Sequence, residues 1–320
     1  MHGSDGPWGA GLITDATAEA QTKELERIVG AAVTSVDRAR WGFANRTDFV
    51  TTSGGERLVV QRYRDKVGAV HRLRAMDALA EPFADCGIAM PVARRVQLDD
   101  DPPWAIFDLL PGVPVPDAHV DGLGGPRFPH LAMRMGDLQR RISSVPVEGL
   151  DLPARWANPP SLVMAASGWL ERISAGIGVD HGRFLSRLID DVPRLFDGRP
   201  AVVAHGDFAP VNVLVAEDEI TGLLDFESAR LADPLFDVAW WSWVVGFHHP
   251  ADLARGLPAF LRGADVRLDA YLDDRLRALQ LLRLLELAAD SSTEPRDGGR
   301  EWDTRLTVTL ARSLSFRLGS

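Results

Sequence analysis

The sequence predicts an α+β chain of two lobes, with a small antiparallel-sheet lobe ending near Leu110 and a larger, mainly helical lobe after it. Three observations carry this. Strand-like runs recur at 47–52, 57–63 and 104–110, and Gly54-Gly55 supplies a tight turn between the first two. A Pro- and Gly-containing stretch, 111–129, interrupts the pattern. From Phe128 onward apolar residues return mainly at helical spacing, beginning with Leu131, Met135, Leu138 and Ile142. The expected bounds are a Gly-rich tail over 1–16, an N-terminal lobe over 17–110 and a C-terminal lobe over 111–320.

Composition narrows the function classes. A chain of 320 residues, 46% hydrophobic and 25% charged, has the makings of ordinary globular cores. Cys86 is the only cysteine, so no internal disulfide can form and a reducing compartment fits. No apolar run has the length of a membrane span, and no basic segment leads into an apolar core at the start. The expectation is a cytoplasmic protein without a membrane partner. A net charge of −10 argues against nucleic acid and is compatible with a cationic small molecule.

Within the first lobe, 18–33 places Leu25, Ile28, Val29 and Ala32 on one helical face. Trp41 to Arg46, including Asn45, reads as a turn into the next strand. A helix is expected over 66–83, with Val67, Val70, Leu73, Met76 and Leu79 in its apolar stripe. In the second lobe, helices are expected over 128–145, 161–173, 183–196, 270–289 and 302–316. Asp233 reads as an N-cap with Pro234 at the first helical position, and Asp237 falls in that helix's first turn. Trp240, Trp241 and Trp243 crowd the same helix and are expected mainly in the core. His248-His249-Pro250 reads as a loop.

The chemistry concentrates in Ala204-His-Gly-Asp-Phe-Ala-Pro-Val-Asn-Val-Leu214 and Gly222-Leu-Leu-Asp-Phe-Glu227. The apolar run 201–204 is a short strand, and 213–215 and 220–224 form a hairpin turning at 217–219. Asp207, Asn212 and Asp225 thereby stand on loops at strand ends. One carboxylate can take a hydroxyl proton, while an amide oxygen and a second carboxylate hold Mg²⁺, which keeps substrate phosphates as further ligands. That is equipment for phosphoryl transfer.

His205-Gly-Asp with Asn212 after four intervening residues, then Leu223-Leu-Asp-Phe-Glu and Ala232-Asp-Pro-Leu-Phe-Asp237, resembles the aminoglycoside phosphotransferase family of the protein-kinase-like superfamily. The resemblance runs over about 35–290 and is strongest over 201–240. It implies a bilobal kinase-like fold with Mg²⁺ and ATP or GTP between the lobes. It implies Asp207 as catalytic base, Asn212 and Asp225 as metal ligands, and His205, Asp233 and Asp237 as supports of the catalytic loop. Arg62 falls where the family places a cation for the nucleotide phosphates, and the turn containing Asn45 where a loop covers them. Glu227, and the late-helix acids Glu286 and Asp290, are the candidates for holding amino groups of an acceptor.

The sequence departs from its relatives in places. Only seven residues, Phe226 to Ala232, separate Asp225 from Asp233, which leaves no room for a peptide-docking activation segment. No glutamate stands where the strand-three cation would find one; Asp77 or Glu81 would serve only in a shifted register. The expected reaction is transfer of the γ-phosphoryl group to a hydroxyl of an aminoglycoside-like antibiotic or a related metabolite. The alternatives are a kinase of an amino alcohol or sugar, and a catalytically silent binding module of the same fold.

Overall fold

A computed structural model describes residues 15–39, 45–117, 125–291, 308–310 and 312–313. The chain divides into two compact units, one holding residues up to Leu73 together with Pro91–Leu110, the other Arg74–Met90 and the residues from Pro111 onward. Residues 74–90, expected in the first lobe, thus group with the second unit.

The first unit is a five-stranded antiparallel sheet and a helix. Its elements are α1 (Asp15–Val29), β1 (Val33–Arg38), β2 (Arg46–Thr52), β3 (Arg57–Arg62), the opening of α2 (Lys66–Asp85), β4 (Ala93–Gln97) and β5 (Trp104–Asp108). The strand order is β1-β2-β3-β5-β4. Val50, Leu58, Val60, Trp104 and Ile106 bury one face of the sheet, and Leu25 and Ile28 of α1 complete that core. Each of the two helix residues, fully buried, contributes about 1.5–3 kcal/mol. The β2–β3 turn closes with Thr52 accepting from Gly55 N–H, where Gly55 takes φ +81°.

α1 starts at Asp15, inside the expected tail, and stops before Ala32, because Gly30 at φ +76° ends it. The expected stripe of α2 holds at Met76 and Leu79 and fails at the start of the helix. Val67 is exposed, whereas Ala69, Arg72, Met76, Leu79 and Phe83 are buried. A helix with apolar residues on most sides offers several faces, and packing chooses among them.

The second unit contains α3 (Phe128–Ser143), α4 (Pro159–Ile173), α5 (Val179–Phe196), α6 (Phe236–His248), α7 (Pro250–Gly263) and α8 (Leu272–Ser291). Its strands are β6 (Val113–Pro114), β7 (Val202–Ala204), β8 (Val213–Ala216), β9 (Glu219–Leu223) and β10 (Arg230–Ala232), arranged as β6-β8-β9 and β10-β7. The β8–β9 turn places Glu217 and Asp218 at φ 51° and 66°, the left-handed pair a two-residue hairpin loop requires.

α7 has no counterpart in the sequence expectations, because Gly256, Pro258 and Gly263 resemble breakers. Two of those glycines have a packing reason. A side chain at Gly263 would collide with the Met133 carbonyl of α3, and one at Gly256 with the Phe128 ring. Asp233 does not cap α6. It accepts from Leu235 N–H at 2.8 Å in a turn one step ahead, and the helix begins at Phe236. Most of the helix expected over 302–316 lies outside the described residues. Among the described residues no helix is long and apolar enough to cross a membrane.

Candidate active site

β7 ends at Ala204, and the next residues turn sharply. Gly206 takes φ +84°, and a Cβ there would run into the Ser228 carbonyl, so both conformation and space demand glycine. The turn is held from α6, where Asp237 accepts from His205 N–H at 2.7 Å and from Gly206 N–H at 2.9 Å. Burial pushes the Asp237 carboxyl up, against the pull of the His205 ring and the two backbone donors.

His205 is fully buried and ties two segments together. Its Nδ1 accepts from Asp207 N–H at 3.3 Å, which leaves Nε2 as the protonated nitrogen, donating to the Leu224 carbonyl at 2.8 Å. The ring packs edge-on against Phe226 at 5.0 Å.

Asp207, half-buried, is held at both oxygens. Asn212 Nδ2 donates to Oδ2 at 3.1 Å and to the Asp207 carbonyl at 2.9 Å. Trp240 Nε1 donates to Oδ1 at 2.7 Å. Asn212 sits in a 3-10 turn, Pro210–Asn212, and its carbonyl accepts from Leu224 N–H at 2.8 Å. The turn containing Asn212 is thereby bonded to the residue just before Asp225. Asp225 itself adopts φ 69°, ψ 69°, a left-handed conformation uncommon outside glycine, and strain of that kind clusters at functional sites.

With its amide nitrogen committed to Asp207, Asn212 has its Oδ1 to offer a cation. Among the described residues no group of three or more His, Cys, Asp or Glu could hold a metal ion. A site of one carboxylate and one amide oxygen fits Mg²⁺, which takes few protein ligands and completes its shell with phosphate and water.

The remaining candidates lie as follows. Arg199 grips Asp233 through both carboxylate oxygens, one contact at 3.1 Å. Glu227 is exposed beside Phe226. Glu286 is buried and holds two guanidiniums, Arg230 at 2.9 Å and Arg283 in an ion pair, with Trp156 Nε1 donating at 3.2 Å. Burial alone would raise its carboxyl; Arg283 and Arg230 outweigh that and hold it below the usual range. Desolvation, with Arg283 close by, brings Arg230 down to about 10. Asp290, about one turn further along α8, lies 3.6 Å from Arg172. The expectation that Glu286 awaits an acceptor amine therefore conflicts with its surroundings, since its charge is already balanced from within the unit.

In the first unit, Arg62 is buried between Asp48 and Glu24, the latter at 2.5 Å. Its partners thus come from β2 and α1 rather than from Asp77 or Glu81. Asp48, fully buried, also receives Arg46 at 3.3 Å and Gln21 at 3.3 Å. Asn45 directly precedes β2 and is half-buried. The Trp240 and Arg230 contacts had no sequence signal, because their partners lie 33 and 56 residues away on elements whose packing the sequence does not disclose. The Arg283–Glu286 pair is different: three residues apart on α8, it has a spacing that a helix brings together.

Residues 35–279 match the model of the phosphotransferase enzyme family. Solved structures of similar fold include a GDP complex of an aminoglycoside 2'-phosphotransferase IIIa variant (15% identity, TM-score 0.73, covering 93% of this chain and 97% of that one). A macrolide 2'-phosphotransferase from Brachybacterium faecium is 20% identical, with TM-score 0.65 over 90% of this chain and 98% of its own. A variant of aminoglycoside phosphotransferase APH(4)-Ia, in complex with ADP and hygromycin B, is 16% identical with TM-score 0.66 over 92% and 99%. No curated protein sequence matches the chain.

Proposed function

Because the chain belongs to the phosphotransferase enzyme family, we propose that it transfers the γ-phosphoryl group of ATP or GTP to a hydroxyl of a small molecule. The observation that carries the reading is the Asp207 carboxylate, fixed at both oxygens, on a loop bonded through Asn212 to the segment bearing Asp225. Asp207 would orient the acceptor hydroxyl and take its proton late in a loose transition state, where position counts for more than basicity. Asn212 Oδ1 and Asp225 would hold Mg²⁺, which when bound neutralises charge on the phosphates. Asp237 and His205 would keep the loop in register. From the first unit, Arg62 is the proposed cation for the nucleotide phosphates, with Asn45 on the flanking turn. Relatives solved with GDP and with ADP support either donor.

The acceptor is proposed to be an antibiotic of the aminoglycoside kind or a related metabolite. A second reading is favoured by the two guanidiniums on Glu286 and by Arg172 near Asp290. On that reading the acceptor carries little positive charge, as a macrolide or sugar would, and leans on no late-helix acid.

The test is a panel of aminoglycosides, macrolides, amino alcohols and sugars, each with Mg²⁺ and ATP or GTP. Nucleoside diphosphate release should come with a product heavier by one phosphoryl group. Nucleotide binding without turnover above the Asp207→Asn background, on the panel or with water, would instead make the chain a silent binding module.

A further inference from the structure

We propose that Trp240 is a positioning residue for this reaction, its indole N–H fixing the orientation of the catalytic carboxylate; the inference rests on the reading of Asp207 as base. Asp237 and Trp240 lie three apart on α6 and so share a face. That face accepts the backbone N–H groups of His205 and Gly206 and, one turn on, donates to Asp207 Oδ1 at 2.7 Å. The same helix therefore sets both the path of the loop and the plane of its carboxylate.

A carboxylate on a half-buried loop could rotate about its own bond. Here Asn212 holds Oδ2 and Trp240 holds Oδ1, so rotation would break both bonds. Each oxygen keeps further lone pairs for an acceptor hydroxyl.

The indole is itself confined. It is almost wholly buried, stacked on Trp243 at 4.8 Å, with the Arg283 guanidinium 5.8 Å from its ring centre. Arg283 is anchored in turn by Glu286 and by Ser228 Oγ at 3.1 Å. Gln280 of α8 donates to the Ala239 carbonyl at 3.1 Å and to Ser242 Oγ at 2.9 Å, pinning this turn of α6.

Burial alone does not account for the bond. Trp241, the next residue and fully buried, leaves its Nε1 without a hydrogen-bond partner among the described residues while stacking on Phe260 at 4.1 Å. The core thus tolerates a silent indole N–H one position away, whereas the Trp240 N–H is spent on the carboxylate.

Trp240→Phe keeps an aromatic ring and removes the donor. A hydrogen bond to a charged group is worth enough to lower kcat by roughly ten- to a hundredfold if it is made mainly for catalysis. The dissociation constants of ATP and GTP with Mg²⁺, read by calorimetry, should stay within about twofold, because Trp240 acts on Asp207 alone. Should Trp240→Phe fail to fold, 3-benzothienylalanine at position 240 keeps the bicyclic shape without an N–H and should show the same loss. The decisive comparison is the pair of variants. In an Asp207→Asn background Trp240→Phe should lower basal Mg²⁺-dependent nucleotide turnover no further, since a group that acts through Asp207 has nothing left to orient. Wild-type kcat in either donor-less variant, or an equal loss in both backgrounds, would overturn the proposal while a dead Asp207→Asn variant left the base assignment standing. Normal turnover by Asp207→Asn would remove the base assignment first, so the two failures are distinguishable.

Discussion

Arg230 donates to Glu286 at 2.9 Å across 56 residues of sequence, inside the second unit. With Arg283 on the same carboxylate, this is a buried triad of two cations and one anion. Such a group contributes little net stability when intact, yet losing one member strands the others.

Glu286→Gln should therefore destabilise the protein by about 3 kcal/mol at neutral pH, because two guanidiniums lose their counter-charge. The pH dependence has a definite sign. Glu286 titrates lower in the folded chain, so its contribution is fully present above the unfolded value of about 4.5 and is lost as pH falls through the folded value. The difference between wild type and variant, from urea unfolding, should shrink as pH drops below that value. A gap that stays constant from pH 7 to pH 3 would show that the carboxylate's charge is irrelevant.

Gly206→Ala meets the Ser228 carbonyl and a positive φ together. The expected result is a loss of about 2 kcal/mol or more of stability, with turnover reduced further as His205 and Asp207 shift. Thermal melting and turnover at saturating nucleotide would check this; a variant indistinguishable from wild type would mean that the loop can move aside at no cost.

Arg62→Ala should raise KM for the nucleotide much more than for the acceptor. It should also destabilise the first unit by about 3 kcal/mol, since Asp48 would lose its buried partner. Arg62→Lys should recover part of both, being a point charge without the two-pronged grip. An unchanged nucleotide KM in a folded Arg62→Ala would leave the arginine a purely structural ion-pair member.

What could be read in advance was what lies close in sequence. The β8–β9 hairpin was legible because a polar turn separates two short apolar runs. The loop from His205 to Asn212 was legible because its residue types and spacing recur in phosphotransferases. The first turn of α2 was not, since Val67 and Ala69 are equally plausible core residues until packing chooses between them. α7 was hidden by glycines that serve close approach to α3 rather than chain reversal. The fate of Glu286 was hidden for a different reason: an acid four residues from Asp290 reads as a charged face, and only tertiary packing brings Arg230 to it. Burial and pairing of charge belong to the fold as a whole, and a single stretch of sequence does not encode them.

Asp225 and Asn212 make a further prediction. Asp225→Ala should raise the Mg²⁺ concentration needed for half-maximal turnover by an order of magnitude or more, as the proposed site would lose a carboxylate from its few protein ligands. Turnover at limiting Mg²⁺ is the measurement, and an unchanged Mg²⁺ dependence would remove Asp225 from the metal site.

The most direct test of the account is turnover by Asp207→Asn. The substitution keeps size and removes the charge and the proton acceptor; its single amide oxygen can accept from Asn212 or from Trp240, not from both. Turnover should fall by about two to four orders of magnitude. Calorimetry should find Mg²⁺-nucleotide bound as in wild type, and the protein should remain folded, with a modest loss of stability from the one donor left without an acceptor. A folded Asp207→Asn protein with near-normal turnover would contradict the account.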